Sequence, residues 1–134
     1  MPELHIVRGI PGSGKTTFAK FLAEHEKMIH LEADMAMVTK SGYKYDRTKL
    51  DSAHRWCKFS ARTFLLNGHS VVVSNTFVMV NWMLPYIDMA KSFGCPVKVW
   101  RMTGEYGSIH NVPSDKMSWF KNSMEDYAGE VKHP

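Results

Sequence analysis

Four short, mainly apolar runs alternate along the chain with longer stretches in which apolar residues recur every three or four positions. The runs span residues 4–7, 28–31, 70–74 and 96–102. They predict strands, because strands buried on both faces of a parallel sheet read as nearly continuous apolar segments. The third run is the clearest, since its centre consists of Val71, Val72 and Val73.

Helical periodicity marks the stretches between these runs. Residues 15–26 form the first predicted helix, and its apolar side consists of Phe18, Phe21 and Leu22. The second predicted helix is longer, running from a cap at Asp46 to about residue 67, with Gly68 as its stop signal. Its apolar face has six residues at helical spacing: Leu50, Ala53, Cys57, Ala61, Phe64 and Leu65.

Two more helices are predicted in the second half of the chain. Residues 82–93 form one, with Pro85 in its first turn and Gly94 after its end. Residues 114–127 form the other, which starts at Ser114 and Asp115. Its inward side is predicted to consist of Met117, Phe120 and Met124.

Strands that alternate with helices predict an α/β fold in which helices cover both faces of a parallel sheet. The chain of 134 residues is expected to form one domain over 1–134, with a frayed tail at 129–134. Ligands of such sheets bind at the carboxyl ends of the strands. Residues 9–16, Asp34, Asn75 and the loop after Met102 are therefore expected around one crevice.

The segment directly after the first strand is the most informative motif. Residues 9–16 read Gly-Ile-Pro-Gly-Ser-Gly-Lys-Thr and satisfy the P-loop pattern in full. Glycines let the backbone N–H groups curl around phosphates, so residues 12–14, Gly-Ser-Gly, are predicted to bind a nucleoside triphosphate together with Thr17. Lys15 is expected to reach the terminal phosphates, and the Thr16 hydroxyl is expected to be a Mg²⁺ ligand.

Composition narrows the class of protein. With 44% hydrophobic and 22% charged residues the chain is typical of a globular protein, and no apolar run approaches the length of a membrane span. A cytosolic location is expected, in the host cytosol if the protein is phage-encoded. Cys57 and Cys95 are expected to be reduced buried thiols, and no transition-metal site is predicted. The net charge of +4 suits a polyanionic partner without requiring one.

Three polar residues after the strands are candidates for chemistry. Asp34 is predicted to be either the general base that deprotonates an acceptor hydroxyl or a group that contacts Mg²⁺ through water, with a helix N-cap as the alternative. Glu32 is the second candidate for the role of Asp34, and the favoured interpretation is a solvated strand-end residue. Asn75 stands where many P-loop proteins have an acidic residue, and it either contacts substrate or magnesium water or makes a turn with Thr76.

Basic residues offer acceptor contacts. Arg55 and Arg62, with Lys58 between them, share one face of the long helix, where they either grip phosphates of a nucleic acid or form a solvated surface. Tyr43, Tyr45 and Trp56 are candidates to stack on a base. In the fourth strand and the loop after it, Arg101 is interpreted as a phosphate or base contact, and His110 as a contact or a hydrogen-bonding loop residue.

With the P-loop, Asp34 and the run Ser74-Asn75-Thr76, the chain resembles the 5′-kinase domain of phage polynucleotide kinase and its relatives among P-loop kinases. It is similar to a branch of small, often phage-encoded ATP-binding proteins through residues 53–57, 74–77 and 110–113. The resemblance implies a three-layer P-loop NTPase fold with sheet order 2-3-1-4. It also implies that Lys15 and Thr16 hold ATP and Mg²⁺ and that Asp34 activates a 5′-hydroxyl.

The chain departs from that family at three places. Met37 stands where the family has an arginine on the substrate phosphate, Asn75 replaces an aspartate, and the lid is reduced to residues 104–113. Three functions therefore stay open: a kinase for the 5′-hydroxyl of DNA or RNA, a nucleoside or nucleotide kinase, and a nucleotide-dependent module that engages a protein partner of unknown identity.

Overall fold

The computed structural model describes residues 1–107 and 112–134, and at its centre lies a parallel sheet of five strands. The strands of this sheet are β1 (Leu4–Arg8), β2 (Ile29–Leu31), β5 (Val71–Ser74), β6 (Val97–Met102) and β7 (Val131–His133). Two further strands, β3 (Val38–Thr39) and β4 (Gly42–Tyr43), form a separate hairpin. The sheet order is β2-β5-β1-β6-β7, so the four predicted strands have the expected order 2-3-1-4 and β7 is added at the edge.

Helices cover both faces of the sheet, which confirms the predicted α/β class. They are α1 (Lys15–His25), α2 (Leu50–Leu66), α3 (Val80–Ser92) and α4 (Ser114–Ser123), with 3₁₀ turns at Ala33–Met37 and Arg47–Lys49. Buried residues of α2 and α3 pack on one face against Leu4, Ile6 and Val73, and α1 packs on the other face against Val7 and Val72. Within the described part of the chain, no helix is both long enough and apolar enough to cross a bilayer.

Asp46 caps the start of the long helical region, as predicted, by accepting hydrogen bonds from the backbone N–H and the hydroxyl of Thr48. Helix α3 differs from the prediction. It begins at Val80 instead of residue 82, because the Glu125 carboxylate accepts a hydrogen bond from the Val80 N–H at 2.7 Å. Pro85 therefore lies in the second turn.

Two predictions about helix faces need correction. Phe21 is 51% exposed, so the apolar side of α1 consists of Phe18 and Leu22 without it. Helix α4 ends at Ser123 and has no fully buried residue, because the chain turns into the C-terminal segment instead of continuing as a helix to 127.

The prediction that residues 129–134 fray is wrong. Val131–His133 form β7, which pairs in parallel with β6, and the Thr103 N–H donates to the His133 carbonyl at 2.8 Å. The segment is also held by Glu130, whose carboxylate accepts a 2.8 Å hydrogen bond from Arg8. Both side chains are almost fully buried, at 0% and 5% exposure. Arg8 further donates to the Phe77 carbonyl through Nε and Nη2.

We predict that Glu130→Gln lowers the free energy of unfolding by about 3 kcal/mol, because it leaves the buried Arg8 guanidinium without a carboxylate. Urea denaturation followed by circular dichroism measures the change. The matched control is Asp126→Asn, since Asp126 is an 87% exposed carboxylate that bonds Arg101 in the same segment. The control should leave the denaturation midpoint nearly unchanged, and an equal shift in both variants would contradict the prediction.

Candidate active site

The P-loop follows β1 at the carboxyl edge of the sheet. Gly12 and Gly14 have φ values of 80° and 95°, in the left-handed region that favours glycine. At Gly9 the constraint is space instead, because a Cβ there would lie 2.5 Å from Ser13 Oγ and 2.9 Å from the Met102 carbonyl oxygen. The loop ends at Gly14, which is the N-cap of α1, so the positive end of the helix faces the phosphate cradle.

Lys15 points back over the loop that it follows. Its ammonium donates to the Ile10 carbonyl at 2.9 Å, across the mouth of the P-loop. Burial lowers the pKa of Lys15 to about 8, although the negative charges of Glu32 and Asp34 oppose the shift. The ammonium therefore lies in a poorly solvated position, where a triphosphate is the partner that would stabilise it.

Thr16 contacts Glu32, the second candidate for the role that the sequence analysis gives to Asp34. Its hydroxyl donates to Glu32 Oε1 at 2.7 Å, which joins the first turn of α1 to the end of β2. Glu32 is not the solvated residue that was expected, because its side chain is only 15% exposed. The sequence carries a signal for this contact, because His30 and Glu32 are two residues apart and side chains at that spacing in a strand share a face.

Glu32 is the centre of a hydrogen-bonded cluster. Oε1 accepts a hydrogen bond of 2.6 Å from the Ser74 hydroxyl and lies 3.1 Å from His30 Nε2, which is also 2.9 Å from Ser74 Oγ. Burial raises the pKa of Glu32, but the hydrogen bonds from His30, Ser74 and Thr16 outweigh it and hold the pKa at about 2. Glu32 is therefore ionised over the whole physiological range.

Asp34 lies in the 3₁₀ turn that follows β2. Its charge raises the pKa of Lys15, which places it within electrostatic range of the P-loop. It is not the N-cap of this turn, because Glu32 occupies that position. The electrostatic influence of Asp34 also reaches His54 at the start of α2 and Tyr43 in the hairpin.

Asn75 holds the 3₁₀ turn through a hydrogen bond to its backbone. Its side-chain oxygen accepts a 2.9 Å hydrogen bond from the Ala33 N–H, and its amide nitrogen lies 3.8 Å from Cys57 Sγ. The residue is 9% exposed. Its amide is thus used to hold the residue before Asp34, and its predicted contact with substrate remains a prediction.

The basic candidates lie in different parts of the molecule. Arg55 is exposed on α2, whereas the Arg62 guanidinium stacks on the Phe93 ring at 5.9 Å, near the end of α3. Arg101 bonds Asp126 and Glu130 in the C-terminal segment. His110 lies outside the described residues. The structure therefore does not bring Arg62 or Arg101 to the P-loop, and the acceptor contacts assigned to these four residues stay predictions.

The loop after β6 rests on the P-loop. The Tyr106 N–H donates to the Gly12 carbonyl at 2.8 Å. The Tyr106 ring lies over Gly14, where an added Cβ would be 3.1 Å from Cε2 of the ring. The sequence gave no signal for this contact, because it depends on how the loop folds back over the sheet.

The residues present fit a magnesium ion that arrives with a nucleotide. Among residues 1–107 and 112–134, no cluster of three or more His, Cys, Asp or Glu side chains could hold a metal by itself. Mg²⁺ is usually held by one or two protein oxygens together with substrate phosphates and water. The Thr16 hydroxyl supplies such an oxygen beside the P-loop, so Thr16 would hold the ion, and the ion would neutralise charge on the phosphates.

Comparison with known proteins assigns the chain to a family. The family model described as an AAA domain (AAA_33) matches residues 4–103. The chain belongs to this family. Human NEDD4-binding protein 2 is similar at 26% identity over 142 residues, an alignment that covers 98% of the chain. The chain spans only 8% of the length of that relative.

Three solved structures share this P-loop kinase-like fold. A sugar kinase from Janibacter sp. HTCC2649 has a TM-score of 0.68 at 16% identity, covering 99% of this chain and 84% of that one. Chaetomium thermophilum Kti12 in complex with ADP-AlF3 has a TM-score of 0.71 at 13% identity, covering 97% and 88%. A chain of the Pnkp1/Rnl/Hen1 RNA repair complex has a TM-score of 0.64 at 16% identity, covering 96% and 40%.

We predict that ATP affinity is independent of Lys15 ionisation below pH 8 and falls by up to about tenfold per pH unit above it. The free protein has a Lys15 pKa of about 8, and bound phosphates favour the charged form, so binding above that pH takes up a proton. Titration calorimetry in two buffers of different ionisation enthalpy measures this uptake.

The control for this titration is Lys15→Arg, whose guanidinium stays charged over the whole range. The variant should bind ATP with an affinity that does not change between pH 8 and pH 9.5. A wild-type affinity that is equally flat over that range would contradict the assignment of the low pKa to Lys15.

Proposed function

We propose that the protein is an ATP-dependent kinase that transfers the γ-phosphate to a hydroxyl, most concretely the 5′-hydroxyl of a DNA or RNA end. One observation carries the proposal: Asp34 and Lys15 lie within electrostatic range of each other at the carboxyl edge of the sheet. A carboxylate near the phosphate-binding lysine can serve as the general base that a kinase uses on its acceptor hydroxyl.

The residues have distinct roles in this reaction. The backbone N–H groups of the P-loop and the Lys15 ammonium hold the phosphates and stabilise the charge that develops on them. The Asp34 carboxylate accepts the proton of the acceptor hydroxyl. The acceptor oxygen then forms a bond to the γ-phosphorus while the bond to the β,γ-bridging oxygen breaks, and ADP leaves.

Exposed aromatic side chains, one of them in electrostatic range of Asp34, support a polynucleotide acceptor. Tyr43, Tyr45 and Trp56 are 38%, 50% and 39% exposed, and Tyr43 is close enough to feel the charge of Asp34. Exposed rings of this kind stack on unpaired bases. The net charge of +4 and the similarity to a chain of an RNA repair complex point the same way. A nucleoside kinase is the alternative acceptor class.

We predict that the purified protein labels a 5′-hydroxyl oligonucleotide from γ-labelled ATP in preference to free nucleosides offered in the same reaction. Asp34→Asn should lower the transfer rate by a factor on the order of 10² to 10⁴, because it removes the general base. Its ATP dissociation constant should stay within about threefold of the wild type, since binding depends on the P-loop. Calorimetry and a filter-binding label assay measure the two quantities.

The matched control is Asp88→Asn, which removes an exposed carboxylate on α3, on the opposite side of the core from α1. This variant should label at the wild-type rate. Wild-type labelling by Asp34→Asn would reject Asp34 as the base, and labelling of nucleosides alone would reject the polynucleotide acceptor.

A second candidate function is a nucleotide-binding module with slow chemistry that engages a protein partner. The observation that favours it is Arg101, whose guanidinium bonds Asp126 and Glu130 and is therefore not directed at a transferring phosphate. Burial of Met37, where the related kinase has an arginine, favours it too. Capture of a partner only in the presence of ATP, with no transfer to oligonucleotide or nucleoside, would support this function over the kinase.

A further inference from the structure

We propose that Glu32, held by Ser74, is the carboxylate that positions the magnesium ion of bound ATP, and that it does so from β2 instead of from β5. The inference rests on the proposed use of ATP. In many P-loop proteins this carboxylate follows the strand beside the P-loop strand. Here that strand is β5, which ends at Ser74 and is followed by Asn75, and neither residue is acidic.

The sheet order explains how a residue of β2 reaches the P-loop. Strand β5 lies between β2 and β1, so the Glu32 side chain must cross the end of β5 to contact Thr16. The residue at the crossing point is Ser74, which pairs with Val7 in the register of β1 and β5. The Ser74 side chain is small enough for the Glu32 side chain to pass over it, and the Ser74 hydroxyl donates a 2.6 Å hydrogen bond to Glu32. Ser74 therefore fixes the longer side chain in place.

The hydrogen-bond directions leave the right atoms for a metal. Because the Thr16 hydroxyl donates its proton to Glu32 Oε1, its oxygen lone pairs remain for a hard cation. Glu32 Oε2 makes no hydrogen bond to the residues that the structure describes, so it is left to accept from metal-bound water. Asn75 does not compete for this role, since its oxygen already bonds the Ala33 N–H.

Charge gives Glu32 an effect on nucleotide that depends on metal. The Glu32 carboxylate contacts Thr16, the residue after Lys15, and therefore lies near the phosphates that Lys15 would hold. Without a metal, its negative charge repels the phosphates. With Mg²⁺ between the carboxylate and the phosphates, the same negative charge attracts the metal ion and so favours binding of the nucleotide. A carboxylate with only a structural role lacks this change of sign.

The test compares the dissociation constant of ATP in excess EDTA with that in excess Mg²⁺, measured by calorimetry. Their ratio is the enhancement of binding by Mg²⁺. For Glu32→Gln we expect this enhancement to fall by about tenfold or more, as for other groups that orient metal ligands. The same variant should bind ATP in EDTA as tightly as the wild type or more tightly. Equal weakening of both constants, or an unchanged ratio, would overturn the proposal.

A carboxylate swap provides the sharper test. Because Ser74 Oγ lies 2.6 Å from Glu32 Oε1, Ser74→Asp places a carboxylate close to the same point from the other strand. The double variant Glu32→Gln with Ser74→Asp should recover most of the Mg²⁺ enhancement. If Glu32→Gln alone does not fold, the double variant and Ser74→Ala still test the proposal. For Ser74→Ala we expect the Mg²⁺ enhancement to fall by about threefold. No recovery in a folded double variant counts against the proposal.

The control is Glu3→Gln, which removes one carboxylate at the opposite, amino edge of the sheet, where Glu3 is 54% exposed. Its Mg²⁺ enhancement should match the wild type, and a loss equal to that of Glu32→Gln would overturn the proposal. The readout is binding, so it separates this inference from the kinase proposal. If no phosphate is transferred but Glu32→Gln lowers the Mg²⁺ enhancement as expected, only the kinase proposal is rejected. If phosphate is transferred but Glu32→Gln leaves the Mg²⁺ enhancement unchanged, only the role of Glu32 is rejected.

Discussion

A buried guanidinium joins the nucleotide loop to the rest of the fold. Arg8 is the last residue of β1, fully buried, and directly precedes the P-loop. A charge in that position is tolerated only if hydrogen bonds satisfy it. Its partners are the Phe77 carbonyl after β5 and the Glu130 carboxylate before β7. The base of the P-loop, the turn after β5 and the C-terminal segment are therefore fixed relative to one another.

Two carboxylates beside the P-loop have different surroundings. Glu32 lies at the end of β2 and bonds Thr16, while Asp34 lies two residues further in a turn that Asn75 supports. Glu32 thus contacts the first turn of α1, and Asp34 is carried toward the hairpin and the start of α2. Two acidic residues so close in sequence have different environments because the strand ends between them.

Local patterns predicted most of the fold and the phosphate-binding loop. The P-loop glycines, the Val-rich strand and the helical spacing of α2 each depend on neighbours in sequence, and each was found as expected. What the sequence did not predict depends on distant pairs. Glu125 bonds the first residue of α3, and Glu130 bonds Arg8 and so holds residues 129–134. Glu32, at the end of β2, contacts Thr16 although β5 lies between β2 and β1. No periodicity encodes such contacts, although an arginine beside a buried apolar strand was a signal that some partner exists.

The docking of β7 has a practical consequence for handling the protein. Residues 131–133 extend the sheet beside β6. Glu130, directly before them, accepts a hydrogen bond from Arg8, the residue that precedes the P-loop. A purification handle fused after Pro134 would extend from the same strand, so strain there would pass to Arg8 and the base of the P-loop. At the amino end Met1 is 87% exposed, and the chain is first held at Glu3, whose carbonyl accepts a hydrogen bond from the Val71 N–H at the edge of the sheet opposite the P-loop. Fusions and surface attachment therefore belong at the amino end.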